Sequence, residues 1–333
     1  MLLDPLQSRI VLRTALEGGF ALLAVNADSP AAITDVLEAA RTLDAPVMIE
    51  ASLWQLTGHS FGAGDALLGM ARYLVQLAVL AESPRYRDLP ILFHTDHIKG
   101  PVTLPLLEAA VRGLATGLGD TVVSPSTLSV DSSERSEADN IAALVRLGGV
   151  AADCGRPVTL EMEAGVDDGV TDLETAGCLL AGVESRVPGV IHLWAPGVGT
   201  RHGLGEQTGL SVEAVRAHRV RASDVLGRPV GIALHGSSGV SPEALRAAVE
   251  AGVVKVNWSS ESLRLRSAAA LAFYEGQRAA LEPGHPAWKA TAMDHAVQSH
   301  VASGYQPRVM ERLRCLNAAG RAADCRRALA TAG

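Results

Sequence analysis

The chain has 333 residues, of which 48% are hydrophobic and 4% aromatic, and it carries a formal charge of −7. This acidic balance argues against a nucleic-acid-binding protein, and no apolar run approaches the roughly 20 residues that cross a membrane. The first residues lack the cationic and apolar segments of a signal peptide, and the four cysteines show no metal or disulfide spacing, so we expect a cytoplasmic protein.

Short apolar, β-branched runs alternate with Ala- and Leu-rich segments of helical period along most of the chain. The predicted strands are Phe20–Asn26, Pro46–Ala51, Pro90–His94, Thr121–Ser124, Pro157–Glu163, Val190–Trp194, Pro229–His235 and Val253–Asn257. The predicted helices between them include Ala31–Leu43, Leu104–Leu118, Ser136–Val150 and Pro242–Ala251. Eight alternations without a break in composition favour an α/β fold, the (β/α)8 TIM barrel, over an open doubly wound sheet.

We expect one domain over residues 1–333, with a helical extension at its C-terminal end. From about residue 259 to residue 333 the pattern is helical and is interrupted at Glu282–Pro286. This segment is too long for the last helix of a barrel. It is therefore expected to pack on the barrel or on a neighbouring subunit.

Three histidines, His97, His202 and His235, each come just after a predicted strand. The C-terminal ends of barrel strands meet at one mouth, so these side chains can converge. Three neutral imidazoles with a fourth position open are a ligand set of catalytic zinc. A single histidine at such a position is more often only hydrogen-bonded, but three in this arrangement predict a metal site.

An aspartate precedes the first of these histidines in the segment His94-Thr95-Asp96-His97. Strand alternation directs His94 and Asp96 into the barrel, while His97 begins the loop. An inward carboxylate beside a metal ligand can exchange a proton with a substrate hydroxyl. The alternative role for Asp96 is to orient a histidine.

A second acidic segment follows the fifth predicted strand. Glu161 and Glu163 share one face, so a carboxylate can approach the same metal, and an idle buried pair would be costly. Asp167 and Asp168 follow in a glycine-flanked stretch. That stretch fits either a mobile catalytic loop or a solvated turn.

Small and polar residues follow the last two predicted strands. In His235–Gly239 (HGSSG), small side chains let backbone N–H groups approach an anion at the start of the next helix. Asn257–Ser260 (NWSS) adds side-chain donors after the eighth strand. TIM barrels often bind phosphate in these two loops, so the pair predicts a phosphate site, although HGSSG alone could be a plain turn.

Together these segments resemble the class II, metal-dependent fructose-bisphosphate aldolases and their ketose-bisphosphate relatives. The resemblance runs from about Ala24 to about Ala319 and rests on the motifs AVN, HTDH, LEMEAG, GTRHG, HGSSG and VKVN. It implies a TIM-barrel lyase that uses Zn²⁺ or another divalent metal to cleave or form a C–C bond of a ketose phosphate through an enediolate. Dihydroxyacetone phosphate or a similar hydroxyketone would be one substrate and an aldehyde the other. A homodimer or homotetramer and a monovalent cation near the phosphate site are further expectations.

The resemblance also implies roles for individual residues. His97, His202 and His235 would bind the metal, and Glu163 would contact it when that side chain moves. Asp96 would be the acid/base, and Asp168 or Asp167 is the candidate for the family's loop acid. Substrate and phosphate contacts would come from Asn26, Ser52, Gly203, Gly236, Ser238 and Asn257, and the NWSS segment itself adds Ser259 and Ser260 as candidate donors.

The chain departs from the family after the eighth strand and near its C-terminal end. The family usually has N-[IV]-D/A-T there, whereas this chain has Trp258, Ser259 and Ser260 after the asparagine, so we expect an indole beside the substrate. Lys289, in AWKATAM, is the candidate cation for a distal phosphate, the alternative being a solvated surface lysine. We therefore expect an aldolase of a specialised sugar or natural-product pathway. The alternatives are a glycolytic fructose-bisphosphate aldolase, a zinc metallohydrolase on a TIM barrel, or a binding protein that has kept the fold.

Overall fold

The structure, a computed structural model, describes residues 1–99, 103–116, 122–131, 134–165, 169–205 and 209–332. The strands within these residues are β1 Leu22–Asn26, β2 Val47–Ala51, β3 Ile91–Thr95, β4 Leu114–Ala115, β5 Val122–Val123, β6 Thr127–Val130, β7 Leu160–Ala164, β8 Ile191–Pro196, β9 Gly231–Leu234 and β10 Val253–Trp258. Eight of them are parallel and close into a barrel in the order β1-β10-β9-β8-β7-β6-β3-β2. The predicted TIM-barrel fold is confirmed.

Helices surround the barrel and continue beyond its last strand. They are α1 Pro5–Gly18, α2 Pro30–Thr42, α3 Leu53–Thr57, α4 Ala66–Glu82, α5 Thr103–Arg112, α6 Glu137–Asp153, α7 Leu173–Glu184, α8 Val212–Leu226, α9 Pro242–Ala251, α10 Ser260–Gly276, α11 Trp288–Ala292, α12 Asp294–Cys315 and α13 Ala322–Ala332, with a 3₁₀ turn at Arg278–Leu281. In the C-terminal extension, α12 packs against α2 and α10, and α13 packs against α1. Among the described residues no helix is long and apolar enough to cross a membrane.

Local sequence signals explain where the helices begin and end. The hydroxyl of Ser241 accepts a hydrogen bond from the N–H of Ala244 at the start of α9, and Pro242 occupies the first turn, where it needs no hydrogen-bond partner. Gly252 ends α9 with φ of 119°, a left-handed conformation that glycine adopts at little cost. The chain then enters β10 directly.

Strand alternation divides the apolar residues into two cores. Outward side chains such as Val25, Ile49 and Phe93 pack against the surrounding helices. Inward side chains at the strand starts, including Leu22 and Leu92, pack with α1 below the barrel. The lower barrel is therefore apolar, and the polar inward residues lie nearer the C-terminal mouth, where TIM-barrel sites form.

The fourth barrel strand is Thr127–Val130, so the prediction of Thr121–Ser124 was wrong. Val122–Val123 instead forms an antiparallel pair with Leu114–Ala115, and α5 ends at Arg112 rather than at Leu118. The apolar pair of valines attracted the prediction because it has the stronger β-propensity. The strand that enters the barrel, β6, carries inward hydroxyl groups that bind polar neighbours. It is therefore less apolar than the other strands and harder to recognise in the sequence.

Candidate metal and catalytic site

The barrel brings polar side chains together at one level of its interior. Asn26 on β1 lies beside Glu50 on β2, and Glu50 lies beside His94 on β3. His94 continues this level by contacting the Thr127 hydroxyl on β6 through Nδ1 at 2.7 Å. All four residues are at most 2% exposed. Because burial of unpaired polar groups is costly, such a layer indicates a site rather than ordinary core packing.

The three predicted metal-binding histidines meet at the mouth above this layer. His97 Nε2 lies 2.6 Å from His202 Nε2 and 3.0 Å from His235 Nδ1. The ligand atoms of the three residues all lie within 4.8 Å of one another. His235 is buried, His97 half-buried and His202 exposed, so the cluster has both a protein side and an open side.

The backbone at His97 turns sharply to direct its ring toward this point. His97 has φ of 45°, in the left-handed region that residues other than glycine seldom adopt. Such conformations persist at functional sites when the surrounding structure holds them. Here two carboxylates hold the ring, because His97 Nδ1 lies 2.9 Å from Asp131 and 3.1 Å from Glu163.

The carboxylates make the cluster attractive to a cation. Burial alone would lower the pKa of His97, but the charges of Glu163 and Asp96 and the hydrogen bond to Asp131 raise it to about 12. The same negative field would favour a divalent metal at this position. Nitrogen and carboxylate ligands suit zinc, and Glu163 Oε2 is buried beside the cluster, 3.1 Å from His97 Nδ1. These residues therefore fit a metal ion.

Asp96 lies beside the histidines and is held by two amides. Asn26 donates a hydrogen bond to one carboxylate oxygen at 2.9 Å, and Asn257 donates to the other at 2.8 Å. Burial alone would raise the pKa of Asp96, but electrostatic interactions with His97, His235 and Lys255 and the Asn26 hydrogen bond lower it to about 2. The carboxylate is therefore ionised and oriented, as a base requires.

Backbone geometry explains the glycines of the two His-Gly pairs. Gly236 has φ of 64°, and a Cβ atom there would lie 2.7 Å from the carbonyl oxygen of Arg201. Gly203 has φ of 109°, which is unfavourable for any side chain. Both glycines follow histidines of the cluster. They allow the backbone to turn immediately beside it.

The serines predicted to bind phosphate surround the start of α10. Ser238 accepts a hydrogen bond from the Glu261 N–H at 3.1 Å, and Ser237 donates to the carbonyl oxygen of Asn257. Ser259 precedes α10 and makes no capping bond with its side chain, and Ser260 is the first residue of the helix. The HGSSG and NWSS segments are thus joined at a helix N-terminus, where an anion is favoured.

Two other predicted substrate contacts, Ser52 and Lys289, lie at the start of α3 and on α11. Ser52 caps α3, accepting a hydrogen bond from Trp54 N–H at 3.3 Å and donating one to Gln55. Lys289 is exposed on α11, which packs against α12 and the 3₁₀ turn. Asp167 and Asp168 lie outside the described residues.

The prediction that Trp258 stands beside the substrate was wrong. Alternation on β10 turns Asn257 inward and Trp258 outward, and the indole is 1% exposed. It stacks on Tyr305 with ring centroids 5.9 Å apart and donates a hydrogen bond to Glu261 at 3.0 Å. Trp258 therefore anchors the C-terminal helices to the barrel.

Three residues of the site escaped the sequence analysis. Asp131 follows the misplaced fourth strand, and Ser129 on that strand donates a hydrogen bond to Glu163. Lys255 on β10 is fully buried, 2.9 Å from Glu161. Its position in VKVN, two residues before Asn257, is the signal that could have placed it inside the barrel.

Comparison with known proteins identifies the family of the chain. Residues 7–321 match the family Fructose-bisphosphate aldolase class-II. The fructose-bisphosphate aldolase of Haemophilus influenzae is 28% identical over 312 residues, covering 82% of this chain and 81% of its own. That of Candida albicans is 27% identical over 281 residues, covering 74% of each chain.

Solved structures share the fold. Fructose-bisphosphate aldolase from Campylobacter jejuni superposes with a TM-score of 0.80 at 20% identity and covers 96% of each chain. The YdjI aldolase from Escherichia coli K12 has a TM-score of 0.68 at 19% identity, covering 97% of this chain and all of its own. With the family match over nearly the full length, the chain belongs to the class II fructose-bisphosphate aldolases, a family of metal-dependent lyases.

Proposed function

We propose that this protein is a zinc-dependent aldolase that cleaves or forms a C–C bond of a ketose phosphate, with dihydroxyacetone phosphate or a similar hydroxyketone as one substrate and an aldehyde as the other. One observation carries the proposal. The nitrogen atoms of His97, His202 and His235 meet within 4.8 Å, and Asp96 lies beside them with both oxygens held by amides.

The residues divide the chemistry among them. Zinc bound by the three histidines would act as a Lewis acid toward adjacent oxygens of the hydroxyketone. In the cleavage direction, Asp96 takes the proton of the hydroxyl group whose carbon becomes the aldehyde. The C–C bond breaks, its electron pair passes to the hydroxyketone fragment, and that fragment is then protonated. Glu163, or the loop acid Asp168, is the candidate for moving this second proton.

The phosphate group would lie where HGSSG meets α10. Backbone N–H groups near Gly203, Gly236 and Ser238 and at the start of α10 suit an anion. Ser259 and Ser260 add hydroxyl donors, and Asn26 and Ser52 complete the substrate contacts. A monovalent cation near the phosphate is part of the proposal, because it would balance the charge of the anion.

The pathway and assembly are further parts of the proposal. Ser259 stands where the family usually has an acid, which supports a substrate other than fructose 1,6-bisphosphate and a specialised sugar or natural-product pathway. Leu271 and Tyr274 are exposed apolar residues on α10. Their burial between subunits would favour a homodimer or homotetramer. The free cysteines fit a cytoplasmic location.

The proposal is tested with metal-stripped protein, dihydroxyacetone phosphate and a panel of aldehydes. We expect condensation products to form when Zn²⁺ is restored and not before. Borohydride should trap no covalent imine, because the chemistry uses no lysine nucleophile. Full activity of the stripped protein, or a trapped imine, would overturn the zinc mechanism.

A further inference from the structure

A buried chain of three side chains runs from the barrel interior to the histidine cluster. The Lys255 ammonium lies 2.9 Å from Glu161 Oε2 and 3.2 Å from Glu161 Oε1. Glu161 Oε1 lies 2.8 Å from His235 Nε2. Lys255 and Glu161 are fully buried, and His235 is 2% exposed. The chain crosses the interior from β10 to β7 and then to the end of β9.

The first link fixes the carboxylate. Because the ammonium lies within hydrogen-bond distance of both oxygens, it restricts rotation of the Glu161 carboxyl group and keeps Oε1 directed at His235. It also compensates a charge that water cannot reach. A buried carboxylate that loses its partner is strongly destabilised, so the pair is required if Glu161 is to remain a fixed acceptor.

The second link sets which nitrogen of His235 is available. Donation of the Nε2–H to Glu161 leaves Nδ1 as the nitrogen that carries the lone pair, and Nδ1 lies 3.0 Å from His97 Nε2 and 3.5 Å from the Asn257 amide nitrogen. Carboxylates that accept from a metal-binding imidazole fix its tautomer and ring orientation and raise its basicity. The orientation of His235 thus depends on Glu161, and that of Glu161 on Lys255.

We propose that Lys255 is a positioning residue for the metal ligand His235 and acts through Glu161. The inference rests on the proposed metal site, and it adds that metal affinity depends on a lysine that does not contact the metal ligands. Lys255 is fully buried and reaches the histidine cluster through Glu161, so its expected effect is on binding of the ion.

Zinc affinity, measured by chelator competition, tests the chain without relying on activity. We expect Glu161→Gln and Lys255→Met each to weaken zinc binding roughly 10–100-fold, as changes beside metal ligands do. The double variant should lose no more affinity than the weaker-binding single variant, because Lys255 acts through Glu161. The visible spectrum of the Co²⁺ form should change in both single variants.

Glu50→Gln is the matched control. Glu50 Oε2 lies 3.5 Å from the same ammonium, and this carboxyl group is equally buried but accepts no hydrogen bond in the described part of the chain. Its variant should keep wild-type zinc affinity. If Lys255→Met fails to fold, the double variant Lys255→Met with Glu50→Gln is used instead, because it leaves one buried carboxylate fewer without a partner. Its zinc affinity is then compared with that of Glu50→Gln alone.

The outcomes separate this inference from the proposed function. Wild-type affinity in a folded Lys255→Met protein, equal losses in Lys255→Met and Glu50→Gln, or losses that multiply in the double variant would each overturn the role of Lys255. Failure of the wild-type protein to bind zinc would instead overturn the proposed function. Weakened binding in both single variants, without multiplication and with the control unchanged, supports the inference.

Discussion

The side-chain amide of Asn257 donates to Asp96 Oδ1 over 2.8 Å, joining the end of β10 to the end of β3 across the barrel mouth. Asn26 donates to the other oxygen from β1. The orientation of Asp96 is therefore set by amides, whereas His97 is oriented by Asp131 and Glu163. Asp96 and His97 thus have different orienting partners, and variants should separate proton transfer from metal binding.

Replacing Asp96 should impair turnover without removing the metal. We expect Asp96→Ala to lower turnover by roughly 10²–10⁴, the usual contribution of a positioned acid/base. Bound metal, measured by elemental analysis, should stay near the wild-type level because His97 and His235 keep their own carboxylate partners. An equal loss of metal would show that Asp96 orients His97 instead.

Removing a histidine of the cluster should lower bound metal and turnover together. His202 is exposed, so His202→Ala should cost little stability in the metal-free protein, and its effect can be assigned to ligation. His235→Ala should act in the same direction. His295, exposed on α12, provides the control, since His295→Ala should leave metal content unchanged. Retention of full metal content in His202→Ala would contradict the assignment.

Asp131 should control metal affinity through the ring of His97. We expect Asp131→Asn to weaken zinc binding roughly 10–100-fold, because an amide is a poorer acceptor for the Nδ1–H. Glu134 offers a matched comparison: both carboxylates lie near Lys99 Nζ, at 3.2 Å for Asp131 and 2.7 Å for Glu134. Glu134→Gln should bind zinc normally in the same chelator assay. Comparable losses in the two variants would point to Lys99 rather than to His97.

The sequence predicts the barrel and the histidine cluster for one physical reason. Short apolar, β-branched runs locate most strands, and the chemistry follows at strand ends, so His97, His202 and His235 could be brought to one mouth. Asp131 and Lys255 could not be assigned partners in this way. Their contacts cross between strands that meet only when the barrel closes, and the register of that closure is set by the whole sheet.

The two wrong predictions have different causes. Thr127–Val130 was missed because its inward side chains are hydroxyls that pair with buried acids and histidine, which weakens the apolar pattern. Trp258 was assigned to the substrate because it follows Asn257 in sequence. Alternation places neighbours on opposite faces, so the residue adjacent to a site residue on a strand faces the surrounding helices.

Trp258 should therefore affect stability rather than substrate choice. Trp258→Ala removes the stack on Tyr305 and the hydrogen bond to Glu261, and we expect a loss of about 3–5 kcal/mol in the free energy of unfolding. Trp258→Phe should lose less. Urea unfolding of the metal-free proteins measures these differences in the free energy of unfolding. The ratio of kcat/KM between two aldehydes should stay at the wild-type value. A changed ratio with unchanged stability would show that the indole contacts the substrate after all.

The last prediction concerns the substrate. HGSSG and the start of α10 keep the small residues and donors that suit one phosphate group. Ser259 replaces the family's acid, and a hydroxyl group cannot reproduce the charge-assisted hydrogen bond between a carboxylate and a sugar hydroxyl. Lys289, the candidate for a distal phosphate, is an exposed side chain on α11. We therefore expect an aldehyde that is smaller, less polar or unphosphorylated.

Steady-state kinetics decide between this substrate and the glycolytic one. Cleavage of fructose 1,6-bisphosphate should have kcat/KM below about 10⁴ M⁻¹s⁻¹, the lower end of the ordinary enzyme range. Ser259→Asp restores the acid and should shift the kcat/KM ratio toward the bisphosphate, while Ser303→Asp, at an exposed position on α12, serves as the control. A wild-type value at or above that limit would make the protein a glycolytic aldolase. It would also show that binding of the sugar does not require a carboxylate in place of Ser259.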